Sequence, residues 1–245
     1  EIMPSLVGSE MCIRDSPSNS ITMPLEGILP INKPKGQSSF SLIPSLRKKL
    51  QVQKIGHSGT LDPIASGVLI FLIGKNYTKL QGQLMKADKE YTAKLFLGAA
   101  TDTYDTEGKV THTSLKKPTI ENISQALEAF QGDILQVPPM FSAKKHKGKR
   151  LYSLARSGIT IAREPVPVWV KVSLESYSYP HLYLHIHCSS GTYIRSIAND
   201  LGNLLECYAH IEELSRIRCG EFSLPDCVSF AEITDLDTTI KLFKT

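Results

Sequence analysis

One acidic side chain stands alone in the stretch from Lys54 to Lys79, K-I-G-H-S-G-T-L-D-P-I-A-S-G-V-L-I-F-L-I-G-K-N-Y-T-K, and that residue is Asp62. A carboxylate can attack carbon or take a proton from it, provided something fixes its direction. Gly56 and Gly59 permit backbone angles closed to other residues. Pro63 fixes its own φ and pushes Asp62 out of the helical region. The run from Gly67 to Gly74 is apolar and bounded by glycines, the pattern of a strand buried on both faces. A carboxylate in a tight turn ahead of a core strand is well placed to be aimed into a cleft. The same residues also suit an Asx turn, in which Asp62 merely bonds nearby amides. Taken alone, they leave both readings open.

Other clusters carry less chemistry. Thr101–Gly108 (T-D-T-Y-D-T-E-G) is acidic but lacks EF-hand spacing, so it reads as a capped turn or hairpin rather than a metal loop. His185 and His187 share a strand face, with His181 nearby, but no third ligand is spaced to complete a site, and no metal is expected. Five cysteines, Cys12, Cys188, Cys207, Cys219 and Cys227, are odd in number, and none forms C-x-x-C. They fit a reducing cytoplasm better than a disulfide framework or a zinc site. The one concentrated basic and aromatic patch is Val137–Gly158. There Lys144, Lys145, Lys147, Lys149, Arg150 and Arg156 alternate with Phe141, His146 and Tyr152. Without acidic neighbours it reads as a mobile, phosphate-contacting segment, the plainer alternative being a solvated lysine-rich loop.

The elements that must position these residues belong to an ordinary globular chain of 245 residues, 41% hydrophobic and 21% charged. The net charge of +4 permits nucleic-acid binding without demanding it. Apolar runs fall short of a membrane span. Residues 1–22 lack both a signal-peptide core and the pattern of a folded element. They are expected to be a non-native or disordered leader, with the native chain starting at Met23.

A strand is predicted over Gly27–Asn32 and a helix over 40–50 capped by Ser38 or Ser39, with more helix over 75–85. Lys89–Gly98 alternates as a strand with Tyr91, Ala93, Leu95 and Leu97 on one face. Thr119–Phe130 reads as an amphipathic helix with Ile120, Ile123, Leu127 and Phe130 inward. Strands are predicted over 166–174 and 181–188. A helix follows Cys188–Arg195, and Val228–Leu242 is expected to be a terminal helix or two turns. Arg195 sits at a helix start, where a cation opposes the macrodipole, which suggests a specific partner.

G-H-S-G-T-L-D-P-I-A-S-G-V-L followed by G-K-N-Y-T-K resembles the signature of the TruB family of pseudouridine synthases, the tRNA pseudouridine-55 synthases. I-N-K-P-K-G-Q-S-S, the segment P-P-M-F-S-A-K-K-H-K-G-K-R-L-Y-S-L-A-R-S-G, and C-S-S-G-T-Y-I-R-S are similar to further family motifs, so that the resemblance covers Ile28 to Phe230. It implies that Asp62 is the catalytic nucleophile and that Arg195 pairs with it and holds its pKa down. It implies that Tyr91 stacks on the target base, Tyr193 packs against it, Leu214 lines the uracil pocket, and His57 contacts the RNA loop. Lys144, Lys145, Lys149 and Arg150 would then grip the RNA backbone from an inserted segment, 137–158.

The fold so implied is α+β: a mixed, mostly antiparallel sheet with flanking helices and a central RNA-binding cleft. The catalytic domain would occupy 23–245, and the further C-terminal RNA-binding appendage of many bacterial members is expected to be missing. The implied reaction is isomerisation of the tRNA T-loop uridine at position 55 to pseudouridine, without a metal or other cofactor, in the cytoplasm. The expected partner is tRNA, with no membrane, no required protein partner and a monomeric state. The rival readings are a non-catalytic tRNA-binding folding factor, an rRNA-directed synthase of the same family, and a glycosidic hydrolase. The last would need a second poised carboxylate, which the Asp62 motif lacks.

Overall fold

A computed structural model describes residues 25–233, without the side chains of Lys145, His146 and Arg150. The leader reading of residues 1–22, and with it Cys12, lies outside these residues. The chain opens with β1 (Gly27–Lys33), α1 (Leu42–Leu50), β2 (Ile55–Ser58) and β3 (Ala65–Ile73). Two short helices, α2 (Gly74–Thr78) and α3 (Gln81–Lys86), lead to β4 (Lys89–Leu97) and the hairpin β5 (Ala99–Thr101) and β6 (Val110–Thr113). Then follow α4 (Ile120–Leu127), β7 (Gly132–Gln136), the small hairpin β8 (Lys145–His146) and β9 (Lys149–Arg150), and α5 (Leu151–Arg156). The last part is β10 (Val166–Ser178), β11 (His181–Cys188), α6 (Ile194–Leu204), β12 (Ala209–Cys219), β13 (Phe222–Ser223) and β14 (Val228–Ser229).

The central sheet runs β14-β1-β3-β12-β4-β11-β10-β7, with β2 added on β3 and β13 on β12. Within it β1/β14 and β12/β3 pair in parallel and the other pairs are antiparallel. The sheet is therefore mixed and mostly antiparallel, with helices packed against it. The unbroken apolar run of β3 has its reason in two cores. Leu69, Phe71 and Ile73 face the main core, while Val68, Ile70 and Leu72 face a second cluster with Cys219 and Phe222. On β4 the alternation holds, with Tyr91, Ala93, Leu95 and Leu97 buried. Helices α1, α4 and α6 complete the main core with Leu46, Ile123, Leu127, Ile197 and Leu201.

Some expectations are corrected. The α1 cap is Ser41, which makes no side-chain cap bond, while the Ser38 hydroxyl accepts from the Ser41 amide at 3.0 Å in the turn before it. Ser39 is instead buried and bonds Leu61, donating to its carbonyl at 3.0 Å and accepting from its amide at 2.9 Å. A buried hydroxyl able to close two bonds with one residue's backbone has more to gain there than at an open helix end. Thr119 does cap α4, in a reciprocal box with Asn122, but Ile120 lies exposed because it precedes the buried stripe Ile123, Ala126 and Leu127. Gly56 lies within β2 with no left-handed backbone, while Gly59 has φ +72°. Val228 opens no helix; Val228–Ser229 pairs with β1, and Phe230–Glu232 is one 3₁₀ turn. The rest of that expected helix lies outside the described residues.

Helix α6 crosses β12 closely enough that a Cβ on Gly202 would lie 2.2 Å from the Ala209 nitrogen. Gly82 of α3 has nothing within 4 Å of such a Cβ. Gly202→Ala is therefore expected to cost about 2 kcal/mol by overpacking, a fall in Tm of about 4–8 °C. Gly82→Ala should instead stabilise by about 0.5–1 kcal/mol through helix propensity. Thermal melts of the two variants check this.

Candidate active site

Asp62 opens a turn closed by the bond from the Ala65 amide to its carbonyl, 3.1 Å, at the entrance to β3. The turn is braced from the β1 side. The Gly36 amide donates to the Pro63 carbonyl at 2.8 Å, and the fully buried Lys33 ammonium donates to the carbonyls of Pro34 (2.8 Å) and Gln37 (2.5 Å). It also reaches the Pro63 carbonyl at 3.5 Å. Burial lowers the Lys33 pKa to about 8 against the pull of Asp62, which raises it.

The Asp62 carboxylate faces α6 rather than the amides of its own turn. Its Oδ2 accepts from Arg195 Nε at 2.8 Å. Arg195 side-chain exposure is 6%, against 40% for Asp62. Both terminal nitrogens of the guanidinium are bonded as well: Nη1 donates to the Thr103 carbonyl and Nη2 to the Phe141 carbonyl, both at 2.9 Å. Behind it lies buried Asp105, with Oδ2 3.6 Å from Nη1. The other oxygen of Asp105 accepts from Thr103 Oγ1 (2.6 Å) and the Glu107 amide (3.0 Å). The acidic loop Thr101–Gly108 is thus a hairpin connection between β5 and β6, folded around Asp105, which meets Arg195 from the side away from Asp62. Among the described residues, no group of three or more His, Cys, Asp or Glu could hold a metal ion. His185 and His187 are spent on Glu90 (3.1 Å) and Asp88 (2.9 Å) across the sheet.

Burial raises the Asp62 pKa above 3.8; Arg195 pulls it down and Asp105 pushes it up. Arg195 holds the Asp62 pKa down as expected, and what it limits is a larger rise caused by desolvation.

The other expected residues lie around this pair and along the sheet. Tyr193 is the N-cap residue of α6, two before Arg195. Its backbone is pinned by Gln136, which accepts from the Tyr193 amide (2.8 Å) and donates to its carbonyl (3.1 Å). Its ring is half-buried, and burial pushes its phenol up. Tyr91 is buried on β4, its phenol raised to about 12 by burial, and it bonds the Arg216 side chain. Leu214, on β12, is buried in the main core and pairs with Ala65, three residues past Asp62. His57 is half-buried on β2 with Nδ1 buried and, among the described residues, without a hydrogen-bond partner; burial, then Arg216, lowers its pKa from 6.5, which favours the neutral imidazole. Lys144 and Lys149 are exposed at the β8–β9 hairpin, which also carries Lys145 and Arg150 in its backbone ladder.

Sequence reasoning did not single out Lys33, Gln136 or Arg216. For Arg216 a signal exists: it follows Leu214 by two on a strand, so it falls on the inward face, where a cation needs a reason.

A carboxylate held in a turn, paired with a buried guanidinium and reachable from solvent can attack a carbon centre or abstract a proton. The sheet and flanking helices define a pseudouridine synthase fold, as the solved structures show. The chain of a Cbf5-Nop10-Gar1 complex is similar with TM-score 0.69 and 27% identity over 88% of this chain and 55% of that one. Sequence profiles sharpen the class. That of the TruB family pseudouridylate synthase N-terminal domain matches residues 47–194, and that of the tRNA pseudouridylate synthase B C-terminal domain matches 195–241. The chain belongs to the TruB family of pseudouridylate synthases. It is 56% identical over 209 residues to the tRNA pseudouridine synthase B of Protochlamydia amoebophila, 85% of this chain and 80% of that one. Identity to the enzyme of the same name from Chlamydia muridarum is 52% over 207 residues, 84% and 86% of the two chains.

The Asp62 carboxyl should titrate above 3.8 in the free protein. In Arg195→Met the cation bonded to it is gone, so the ionised form loses support and the midpoint should rise further. Carboxyl-carbon NMR titration of both proteins checks the sign.

Proposed function

We propose that the chain isomerises uridine in tRNA to pseudouridine, with Asp62 as the reacting carboxylate. The observation that carries this is the Asp62–Arg195 pair at 2.8 Å, with the acid accessible and its partner buried. The names of the similar enzymes, tRNA pseudouridine synthase B, supply the substrate class. The finer target is the T-loop uridine, position 55.

The reaction breaks the N1–C1′ bond, turns the uracil and joins C5 to C1′; the proton leaves C5 and N1 regains one, so nothing is oxidised or reduced. Ionised Asp62 either attacks C1′ or takes the proton from C2′. The target base must leave its stack to reach Asp62. Tyr91 and Tyr193 then bracket it, Leu214 walls the pocket, and neutral His57 offers a hydrogen bond rather than charge to the rearranged loop. Arg195 keeps the carboxylate ionised and aimed, acting as its counter-ion. The insertion's root is tied to the same guanidinium through Phe141, so an RNA-gripping segment and the acid share one anchor. Lys144, Lys145, Lys149 and Arg150 supply its backbone contacts. Among the described residues no helix is long and apolar enough to cross a membrane, and the same reading has the enzyme acting on tRNA as a cytoplasmic monomer.

Asp62→Asn should abolish isomerisation, read as tritium release from C5-labelled uridine in a tRNA transcript, while filter binding of that transcript survives. Release at the native rate would remove Asp62 from the chemistry. Replacing Lys144, Lys145 and Lys149 with Ala should weaken binding and flatten its dependence on log salt by about 0.7–0.9 for each phosphate no longer neutralised. An unchanged slope would take the insertion out of the interface.

A further inference from the structure

Arg216 lies on β12 beneath the Asp62 turn, 1% exposed and among the bulkiest fully buried side chains. A guanidinium stays charged at any working pH. Such a group is kept inside only when its donors are satisfied. Among the described residues, the ion pairs do not include Arg216. Its bonds go to backbone instead: Nε donates to the Val68 carbonyl at 2.7 Å and Nη2 to the Gly59 carbonyl at 2.9 Å. It also bonds the Tyr91 hydroxyl. Gly59 and Val68 stand on either side of Asp62, so one planar fork spans the whole loop that carries the acid.

Two glycines of that loop make room for the fork and its strand. A Cβ on Gly59 would lie 3.3 Å from Arg216 Nη1, and one on Gly67 would lie 2.2 Å from the Arg216 carbonyl oxygen. Both have left-handed φ, +72° and +104°. Gly67 is also the residue that pairs with Arg216 in the parallel β3/β12 ladder. The glycine spacing around Asp62 is therefore shaped by a residue far away in sequence.

We propose that Arg216 is a positioning residue: it clamps both ends of the Asp62 loop and ties that loop to Tyr91, so that the reacting acid and the base-stacking ring hold one fixed relation. The inference rests on the proposed reaction for its catalytic consequence, but the clamp itself is a property of the loop. Lysine cannot replace it, because an ammonium has no rigid fork to span two carbonyls on opposite sides of a turn.

The test uses the full chain with Arg216→Lys and, keeping Arg216 but crowding its fork, Gly59→Ala. Hydrogen exchange of the amides over 59–67 should quicken by about tenfold or more in Arg216→Lys, while those of β11 stay unchanged. Unaltered exchange over 59–67 overturns the clamp, whatever the protein's activity. Single-turnover isomerisation of a tRNA transcript should fall by about 100-fold, with the transcript Kd within about threefold. A folded variant whose rate stays within about threefold of native, or whose loss lies entirely in Kd, overturns the positioning role. Should Arg216→Lys not fold, Gly59→Ala carries the same expectations for exchange and rate. A native chain that makes no pseudouridine refutes the proposed function, while the exchange experiment still decides the clamp.

Discussion

A guanidinium buried as deeply as Arg195 must have every donor met, and meeting them decides which parts of this chain lie together. Its fork draws in the Asp62 turn, the Thr103 carbonyl of the β5–β6 connection and the Phe141 carbonyl at the root of the basic insertion. These segments are remote in sequence, and α6 brings the cation to them. Removing a partner from a fully buried pair typically costs about 3–5 kcal/mol, and the solvent that reaches Asp62 brings this pair below that. The pair is thus a folding constraint as well as a chemical one.

The two acids beside Arg195 are not equivalent, and only one of them is open to solvent. Asp105 is held by Thr103 Oγ1 and the Glu107 amide and is closed off from solvent. Asp62 keeps two-fifths of its side chain exposed and faces the open side of the pair. Burial raises its pKa while the cation limits the rise, so its ionised form is less stabilised than that of a surface carboxylate. A second poised carboxylate, which a glycosidic hydrolase needs, is not what Asp105 provides, since its oxygens are already engaged.

Much of this was legible in the sequence where one local cause dominated. The strands β3 and β4 follow from apolar pattern alone, and the Asp62 turn follows from Gly59 and Pro63. The choice between an aimed carboxylate and an Asx turn was not local: it depended on Arg195, remote along the chain. Ser39 looked like a helix cap because serine suits that place ahead of a helical stretch, yet its hydroxyl closes two bonds with Leu61. Arg216 hid in a strand where its inward position is visible only once the register of β12 against β3 and β4 is known. The strand order of the sheet was likewise out of reach, because placing β12 between β3 and β4 is a matter of long-range pairing.

The claim that most needs a direct view is that Asp62, still paired with Arg195, meets the sugar of an extruded uridine. A crystal structure of this protein with a T-arm RNA hairpin gives that view. The expected result is a uridine out of its stack between Tyr91 and Tyr193, with an Asp62 oxygen about 3–3.5 Å from C1′ or from C2′. A bound RNA whose uridines all remain stacked, or whose extruded ribose lies away from Asp62, contradicts it.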